Sequence, residues 1–309
     1  MTIKVLISDK IESVCPEAFQ KADFEVDQKP GISPQDLLSI IGLYHALVVR
    51  SATTVSREVL TAGASGNLKI VGRAGAGVDN IDIKAAETLG VKVVNTPGLN
   101  ANAVAELTIA YFITLSRQLG AAFASMKEGR WDKKNFSGSE ISGKTLGLVG
   151  IGNVGRLVAA KSKALGMSVL AYDPFLSDSE IQAQGAQASA LDEIWSKSDF
   201  ISLHLPKTPQ TANLVNKEVL GKLKKTAFLV NCARGGLVDE EALYEALKTG
   251  NLGGAAVDVF SQEPPGKSPL LELPNFAATP HIGASTLEAQ LGVAQKVAEL
   301  IIRHLAPGA

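Results

Sequence analysis

The chain has 309 residues, with 30 Lys and Arg against 31 Asp and Glu and a formal net charge of −1. That length accommodates two domains with buried cores, and the charge balance excludes a global basic field that would draw nucleic acid or an acidic membrane. Two cysteines, Cys15 and Cys232, exclude a disulfide framework and offer no metal-ligand spacing, so no metal is expected.

The chain opens on an apolar run that reads as a first strand, Lys4–Ser8, ending at the polar Asp9, rather than as a secretory leader. Further short apolar runs predict strands at Phe24–Asp27, Ala46–Val49, Ile70–Gly72 and Lys92–Val94, with helical stretches such as Pro34–Gly42, Ser56–Gly63 and Ile83–Leu89 between them. Turn chemistry at Asn95–Gly98 marks a break between two sheets. A long apolar helix follows at Ala101–Phe123; Glu106 and Arg117 make it a buried or interface helix rather than a membrane span. A cytosolic protein is expected.

The most informative stretch comes next. The strand-like run Lys144–Val149 leads into Gly150-Ile151-Gly152-Asn153-Val154-Gly155, which opens a helical pattern through Leu165; a second strand, Ser168–Tyr172, then ends at Asp173. Strand, glycine turn, helix, strand and terminal acid in this order point to a dinucleotide site. Gly150 makes the tight turn, Gly152 admits a pyrophosphate to the backbone, and Gly155 lets helix and strand pack closely. The helix start offers unpaired N–H groups and a positive dipole end to the phosphates. Asp173 lies 18 residues beyond Gly155, a spacing that suits a carboxylate on a ribose diol, and Pro174–Leu176 supplies no arginine for a 2′-phosphate. NAD is therefore expected rather than NADP.

Strands are further predicted at Phe200–Leu203, Ala227–Asn231, Gly254–Asp258 and Phe276–Ala278, with helices at Leu191–Lys197, Lys217–Leu223, Asp239–Thr249 and Ser285–Leu305. The alternation of strand and helix predicts an α/β protein with two parallel sheets, the last helix returning to the first domain. Three polar residues follow strands of the second series, where ligands bind in doubly wound folds: Arg234, Glu263 and His281. An arginine clamps a carboxylate bidentately. A histidine exchanges a proton near neutral pH, and a glutamate beside it favours the imidazolium. Taken singly, each is also compatible with a plain cap, a solvated acid or a loop histidine.

At this point the chain resembles the D-isomer-specific 2-hydroxyacid dehydrogenases. The runs that carry the resemblance are Val49–Thr53, Val71–Asn80, Asn95–Pro97, Gly143–Gly147 with the glycine turn, Val230–Glu240, Ala256–Phe260, Glu263–Pro265 and Pro280–Thr286, which together span nearly the whole chain. The resemblance implies two Rossmann-like or flavodoxin-like parallel-sheet domains. An NAD domain (98–283) would be inserted into a substrate-binding domain (1–97 plus 284–309). It implies catalytic roles for Arg234, Glu263 and His281. It adds cofactor contacts at Asn153, Val154, Asp173, Cys232, Ala233, Arg234, Asp258, His281, Gly283 and Ala284 to those of the glycine turn. Two positions depart from the family pattern: Ala76 stands where relatives often have threonine, and Leu205 replaces a threonine seen in some members, so only backbone contact is expected there. His204 is compatible with a structural role and with a functional one alike.

Arg50 and Arg73 end strands of the first domain, and two added guanidinium groups suit a substrate bearing phosphate as well as carboxylate. Ser51, Gly75 and Asn100 are supporting contacts by resemblance, and Lys133 and Lys134 form a basic pair after Trp131. The implied reaction is NAD-dependent oxidation of 3-phospho-D-glycerate to 3-phosphooxypyruvate, the first step of serine synthesis, without serine feedback through a C-terminal regulatory domain. The rivals are a glyoxylate, hydroxypyruvate or D-lactate-type reductase on the same scaffold, and an NAD-sensing corepressor-like binding protein. A homodimer through the NAD domain is expected, with the apolar helix from Ala101 at its two-fold interface.

Overall fold

A computed structural model describes residues 2–306. Along the chain come β1 (Lys4–Ile7), α1 (Val14–Lys21), β2 (Glu25–Gln28), α2 (Pro34–Ile40), β3 (Ala46–Val49), α3 (Arg57–Ala64), β4 (Ile70–Arg73), α4 (Ile83–Thr88) and β5 (Lys92–Asn95). They are followed by α5 (Ala101–Arg117), α6 (Leu119–Lys127), β6 (Thr145–Val149), α7 (Asn153–Ala164), β7 (Ser168–Tyr172), α8 (Asp178–Ala183), β8 (Gln187–Ala188), α9 (Leu191–Lys197) and β9 (Phe200–Leu203). The remainder is α10 (Lys217–Lys222), β10 (Phe228–Asn231), α11 (Glu240–Lys248), β11 (Gly254–Val257), β12 (Phe276–Ala278) and α12 (Leu287–Leu305).

The chain divides into two compact units, one running to Asn100 and resuming at Ala284, the other Ala101–Gly283. The first is built on a five-stranded parallel sheet in the order β2-β1-β3-β4-β5. Its central strands β1, β3 and β4 are buried on both faces because helices cover both, while the edge strands β2 and β5 are not. Leu6, Leu47 and Val71 enter one core, while Val5, Ile7, Val48 and Ile70 enter the other. The period of two along a strand thus feeds two separate cores, and a one-residue slip would exchange them. On one of those faces α12 lies across β4 so closely that a Cβ at Gly72 would come within 2.6 Å of Ile301 and Val297.

The second unit carries a seven-stranded parallel sheet in the order β12-β11-β10-β9-β6-β7-β8. Val149, Ile201, Leu203 and Leu229 face one core; Leu148, Phe200, Val230 and Ala256 face the other. Strand order reverses between β6 and β9, which pair with each other. Doubly wound sheets bind ligands at the carboxyl ends of the strands flanking such a reversal.

Two parallel sheets are therefore present, and each predicted strand is found within about two residues of its expected ends. The single helix expected over Ala101–Phe123 is corrected to α5 and α6, because Gln118 adopts a left-handed conformation (φ 53°, ψ 38°) that no continuous helix tolerates. Three short elements were not foreseen. In α1, Pro16 reads as a breaker, yet it sits in the first turn, where the missing N–H has no intrahelical partner anyway. The helix α8 is only six residues, held by a Ser177–Glu180 capping box, and β8 is only two. Among the described residues no helix is long and apolar enough to cross a membrane.

Candidate functional site

At the end of β6 the chain turns through Gly150 at φ +96°, donating its N–H to Tyr172 O at 2.7 Å. A Cβ on Gly150 would lie 2.6 Å from the carbonyl oxygen of His204, and one on Gly155 would lie 2.4 Å from the carbonyl oxygen of Gly150. The protein itself therefore requires both glycines. Gly152 differs: a Cβ there would meet no atom within 4 Å, so a bare backbone at that position serves whatever approaches from outside. Gly152 also starts α7 with no side-chain cap, and Asn153, Val154 and Gly155 form its first turn. The unpaired N–H groups of that turn and the dipole of a twelve-residue helix make an anion cradle.

Asp173 closes β7 and ties the turn together. Its Oδ2 accepts from Ile151 N at 3.0 Å and its Oδ1 from Phe175 N at 3.0 Å, which fixes the carboxylate beside the cradle. Opposite, at the end of β9, His204 donates its backbone N–H to Val149 O at 2.8 Å, and its Nε2 lies 3.0 Å from Ser202 Oγ. Burial pushes the His204 imidazole down to about 4, so it is neutral near pH 7. Leu205 is buried in the core, and its Cδ2 would lie 3.0 Å from a Cβ at Gly150.

The loops after β10, β11 and β12 hold the other candidates. After β10, Asn231 is buried and braces the next residues, accepting from Ala233 N at 3.1 Å and donating to Arg234 O at 2.9 Å. Arg234 directs Nη1 to Ala233 O at 2.6 Å. A Cβ on the adjacent Gly235 would lie 1.7 Å from Phe260 O, so the arginine loop rests directly on the loop that carries Glu263. Cys232 is buried, and burial pushes its thiol up to about 12, which leaves it inert as a nucleophile.

Glu263 uses both carboxylate oxygens. Oε1 accepts from Phe260 N at 3.0 Å, holding the side chain in its own loop, and Oε2 lies 2.7 Å from His281 Nδ1. A carboxylate only accepts, so Nδ1 carries the proton and the neutral imidazole keeps a lone pair on Nε2. Both side chains are partly exposed, and such pairs contribute only about 0–1 kcal/mol to stability. The contact sets ring orientation and tautomer rather than holding the fold. A cavity of about 390 Å³, within the size class of small-molecule sites, is lined by Asp258, Phe260, Glu263, Pro264, Leu271 and His281 among others.

Asp258 follows β11 and is 2 % exposed. Its carboxylate accepts from Thr279 Oγ1 at 2.5 Å, Ile282 N at 2.7 Å and Gly283 N at 2.7 Å. Neither Thr279 nor its neighbour Tyr111 is among the candidate site residues of the sequence. Thr279 stands two residues before His281, a proximity that was legible, whereas Tyr111 lies 168 positions from Thr279 and gave no signal.

In the first unit, Arg50 and Ser51 follow β3. Asp9, buried at the end of β1, accepts from Arg50 N at 2.5 Å, from Thr53 N at 3.2 Å and from Thr53 Oγ1 at 2.7 Å. Asn80 donates to Arg50 O at 2.7 Å and to Thr53 O at 2.6 Å, so the 50–53 loop is braced from two sides. Arg73 ends β4 and lies over Gly75, where a Cβ would come 1.6 Å from Arg73 Nη1. Asn95 donates to Ala76 O at 2.5 Å, a contact that the missing Ala76 hydroxyl does not affect. Asn100 directly precedes α5, and Ala284 accepts at its carbonyl from Gln290 Nε2 at 2.6 Å.

Residues 109–283 match the family description "D-isomer specific 2-hydroxyacid dehydrogenase, NAD binding domain". The matched domain gives NAD as the cofactor. A D-3-phosphoglycerate dehydrogenase of Synechocystis sp. is 49% identical over 298 residues, covering 96% of this chain and 53% of the relative. Another, from Archaeoglobus fulgidus, is 46% identical over 301 residues, covering 97% of this chain and 57% of the relative. The chain thus spans about half the length of the curated relatives it matches. Among solved structures, a glyoxylate reductase of Paecilomyes thermophila superposes with a TM-score of 0.91 at 29% identity, covering 99% of this chain and 96% of that one.

Proposed function

Because the chain belongs to the D-isomer-specific 2-hydroxyacid dehydrogenase family, we propose that it oxidises 3-phospho-D-glycerate to 3-phosphooxypyruvate with NAD. The observation that carries the reaction class is the 2.7 Å contact between His281 Nδ1 and Glu263 Oε2, which leaves Nε2 as the base. The substrate follows from the D-3-phosphoglycerate dehydrogenases of Synechocystis and Archaeoglobus, matched over 96% and 97% of this chain.

Bound NAD would supply the hydride acceptor for C2 of the substrate. The α7 cradle of Gly150, Gly152, Asn153, Val154 and Gly155 binds the pyrophosphate. Asp173 receives the adenosine ribose hydroxyls, and the segments at Cys232–Ala233 and Gly283–Ala284 contact the nicotinamide half. Arg234 clamps the carboxylate and polarises the C2 oxygen. His281 Nε2 takes the hydroxyl proton, and the imidazolium so formed is stabilised by Glu263. Arg50, Ser51, Arg73, Gly75 and Asn100 supply the contacts to the phosphate end. The two guanidinium groups are the feature that favours a phosphorylated acid.

The protein is further proposed to act in the cytosol as a homodimer. Support for the dimer comes from apolar side chains left exposed on and after α5 and α6, including Phe123 at 60% and Trp131 at 78%. Sedimentation that finds only monomer at micromolar concentration would remove that part.

The deciding experiment compares kcat/KM for 3-phosphoglycerate with NAD against that for D-lactate with NAD and glyoxylate with NADH. Phosphoglycerate is expected to lead. If glyoxylate leads instead, the scaffold shared with the Paecilomyes reductase extends to its substrate, and the phosphorylated acid is wrong.

A further inference from the structure

We infer that Thr279 and Tyr111 are positioning residues for His281: with the buried Asp258 they form a partly buried hydrogen-bonded chain that fixes the backbone on both sides of the imidazole. The inference rests on the proposed role of His281 as the base and adds two residues to the machinery.

His281 has a left-handed backbone, φ 55°, a conformation that non-glycine residues hold only when their surroundings impose it. Two sets of contacts impose it. On the amino side, His281 N donates to Thr279 O at 3.0 Å, closing a tight three-residue turn around Pro280, whose ring restricts φ. On the carboxyl side, Ile282 N and Gly283 N both point at the Asp258 carboxylate. The same carboxylate accepts from the Thr279 hydroxyl, so a single buried acid grips residues 279, 282 and 283 and leaves 281 as the apex.

The direction of the hydrogen bonds follows from chemistry. Asp258 can only accept, so the Thr279 hydroxyl donates to it, and the Thr279 oxygen is left to accept. Tyr111 OH lies 2.5 Å from that oxygen and 3.1 Å from Val257 O. Its proton therefore serves Thr279 or Val257, and the phenol closes the chain from α5. Burial raises the Tyr111 phenol far above its usual range, so it stays a donor at every working pH. A buried carboxylate is costly unless its oxygens are satisfied, and Thr279 Oγ1, Ile282 N and Gly283 N, which donate to it here, all belong to the His281 loop. Removing the Thr279 donor takes away a contact that couples the amino side of the turn to the carboxyl side through Asp258.

The test uses the full chain with Thr279→Val, which keeps the shape and removes the hydroxyl, Thr279→Ser, which restores it, and Tyr111→Phe. Amide exchange at Ile282 and Gly283 is measured without ligand, and kcat, the KM for NAD and Tm are measured alongside. In Thr279→Val, exchange at both amides is expected to rise at least about tenfold. Its kcat is expected to fall about 10–10²-fold through misaimed imidazole, with the KM for NAD changed less than about threefold. Thr279→Ser should recover both quantities, and Tyr111→Phe should show the same pattern at smaller size. Wild-type exchange and kcat in Thr279→Val would overturn the inference, and so would a Thr279→Ser variant that folds but stays impaired. If Thr279→Val does not fold, Tyr111→Phe decides by the same two measurements. If the wild-type chain oxidises no D-2-hydroxy acid, the functional reading falls while the exchange measurement still judges the chain of contacts.

Discussion

Nδ1 of His281 and Oε2 of Glu263 lie 2.7 Å apart, although the two residues come from loops on different strands and are 18 positions apart. The contact assigns the ring proton to Nδ1 and leaves Nε2 basic. Replacing His281 by Ala is expected to lower kcat by about 10²–10⁴, with little change in the KM for NAD. Glu263→Gln should lower kcat less, because a Gln side chain still touches the ring but no longer imposes one tautomer. Steady-state kinetics on both variants check this; near-wild-type turnover in His281→Ala would remove it from the mechanism.

In the proposed function, Asp173 sets the choice of NAD over NADP. Asp173→Asn keeps an acceptor for Ile151 N and removes the charge, separating support of the turn from recognition of the ribose. The KM for NAD should rise about 10–100-fold, the range expected for losing charged hydrogen bonds, and the preference for NAD over NADP should narrow. An unchanged ratio of kcat/KM for the two cofactors would contradict the assignment.

In the proposed function, Arg50 and Arg73 bind the substrate phosphate. With both changed to Gln, kcat/KM for 3-phosphoglycerate should fall at least about 10²-fold, while glyoxylate reduction changes much less. Equal losses on the two substrates would mean that neither arginine reads the phosphate.

Gly235→Ala tests the seat of Arg234. The added methyl would lie 1.7 Å from Phe260 O, and two backbone segments would have to part. A loss of about 1–3 kcal/mol in stability is expected, together with a kcat loss out of proportion to it. Urea midpoints and kinetics on one preparation separate the two effects.

His204 predicts an acid-side loss of stability. Its folded value of about 4 lies below the ordinary 6.5, so as pH falls the unfolded chain takes up the proton first. The contribution is complete above pH 6.5 and is lost between there and pH 4, up to about 3 kcal/mol. Denaturation midpoints from pH 7.5 to 5 should fall more steeply for the wild type than for His204→Gln. Parallel slopes would refute it.

Much of this molecule was legible without coordinates. Strand positions followed from apolar runs bounded by turn residues, and the dinucleotide cradle from the order of strand, glycine turn, helix, strand and acid, because both are written in neighbouring residues with fixed periods. The break at Gln118 was not legible, since one left-handed residue leaves no mark in composition. Nor were Pro16 inside a helix and the two-residue β8, where tertiary packing outweighs local preference.

The residues Arg234, Glu263 and His281 were nameable as a set from their places after strands and from the resemblance, but what each does to its neighbours was not. That Glu263 meets Nδ1, that Asp258 is spent on Thr279 and two amides, and that Tyr111 reaches Thr279 across 168 positions were decided only by the folded chain. Local pattern dictates which backbone a segment adopts; a hydrogen bond between distant segments depends on a few tenths of an ångström set by all the packing between them.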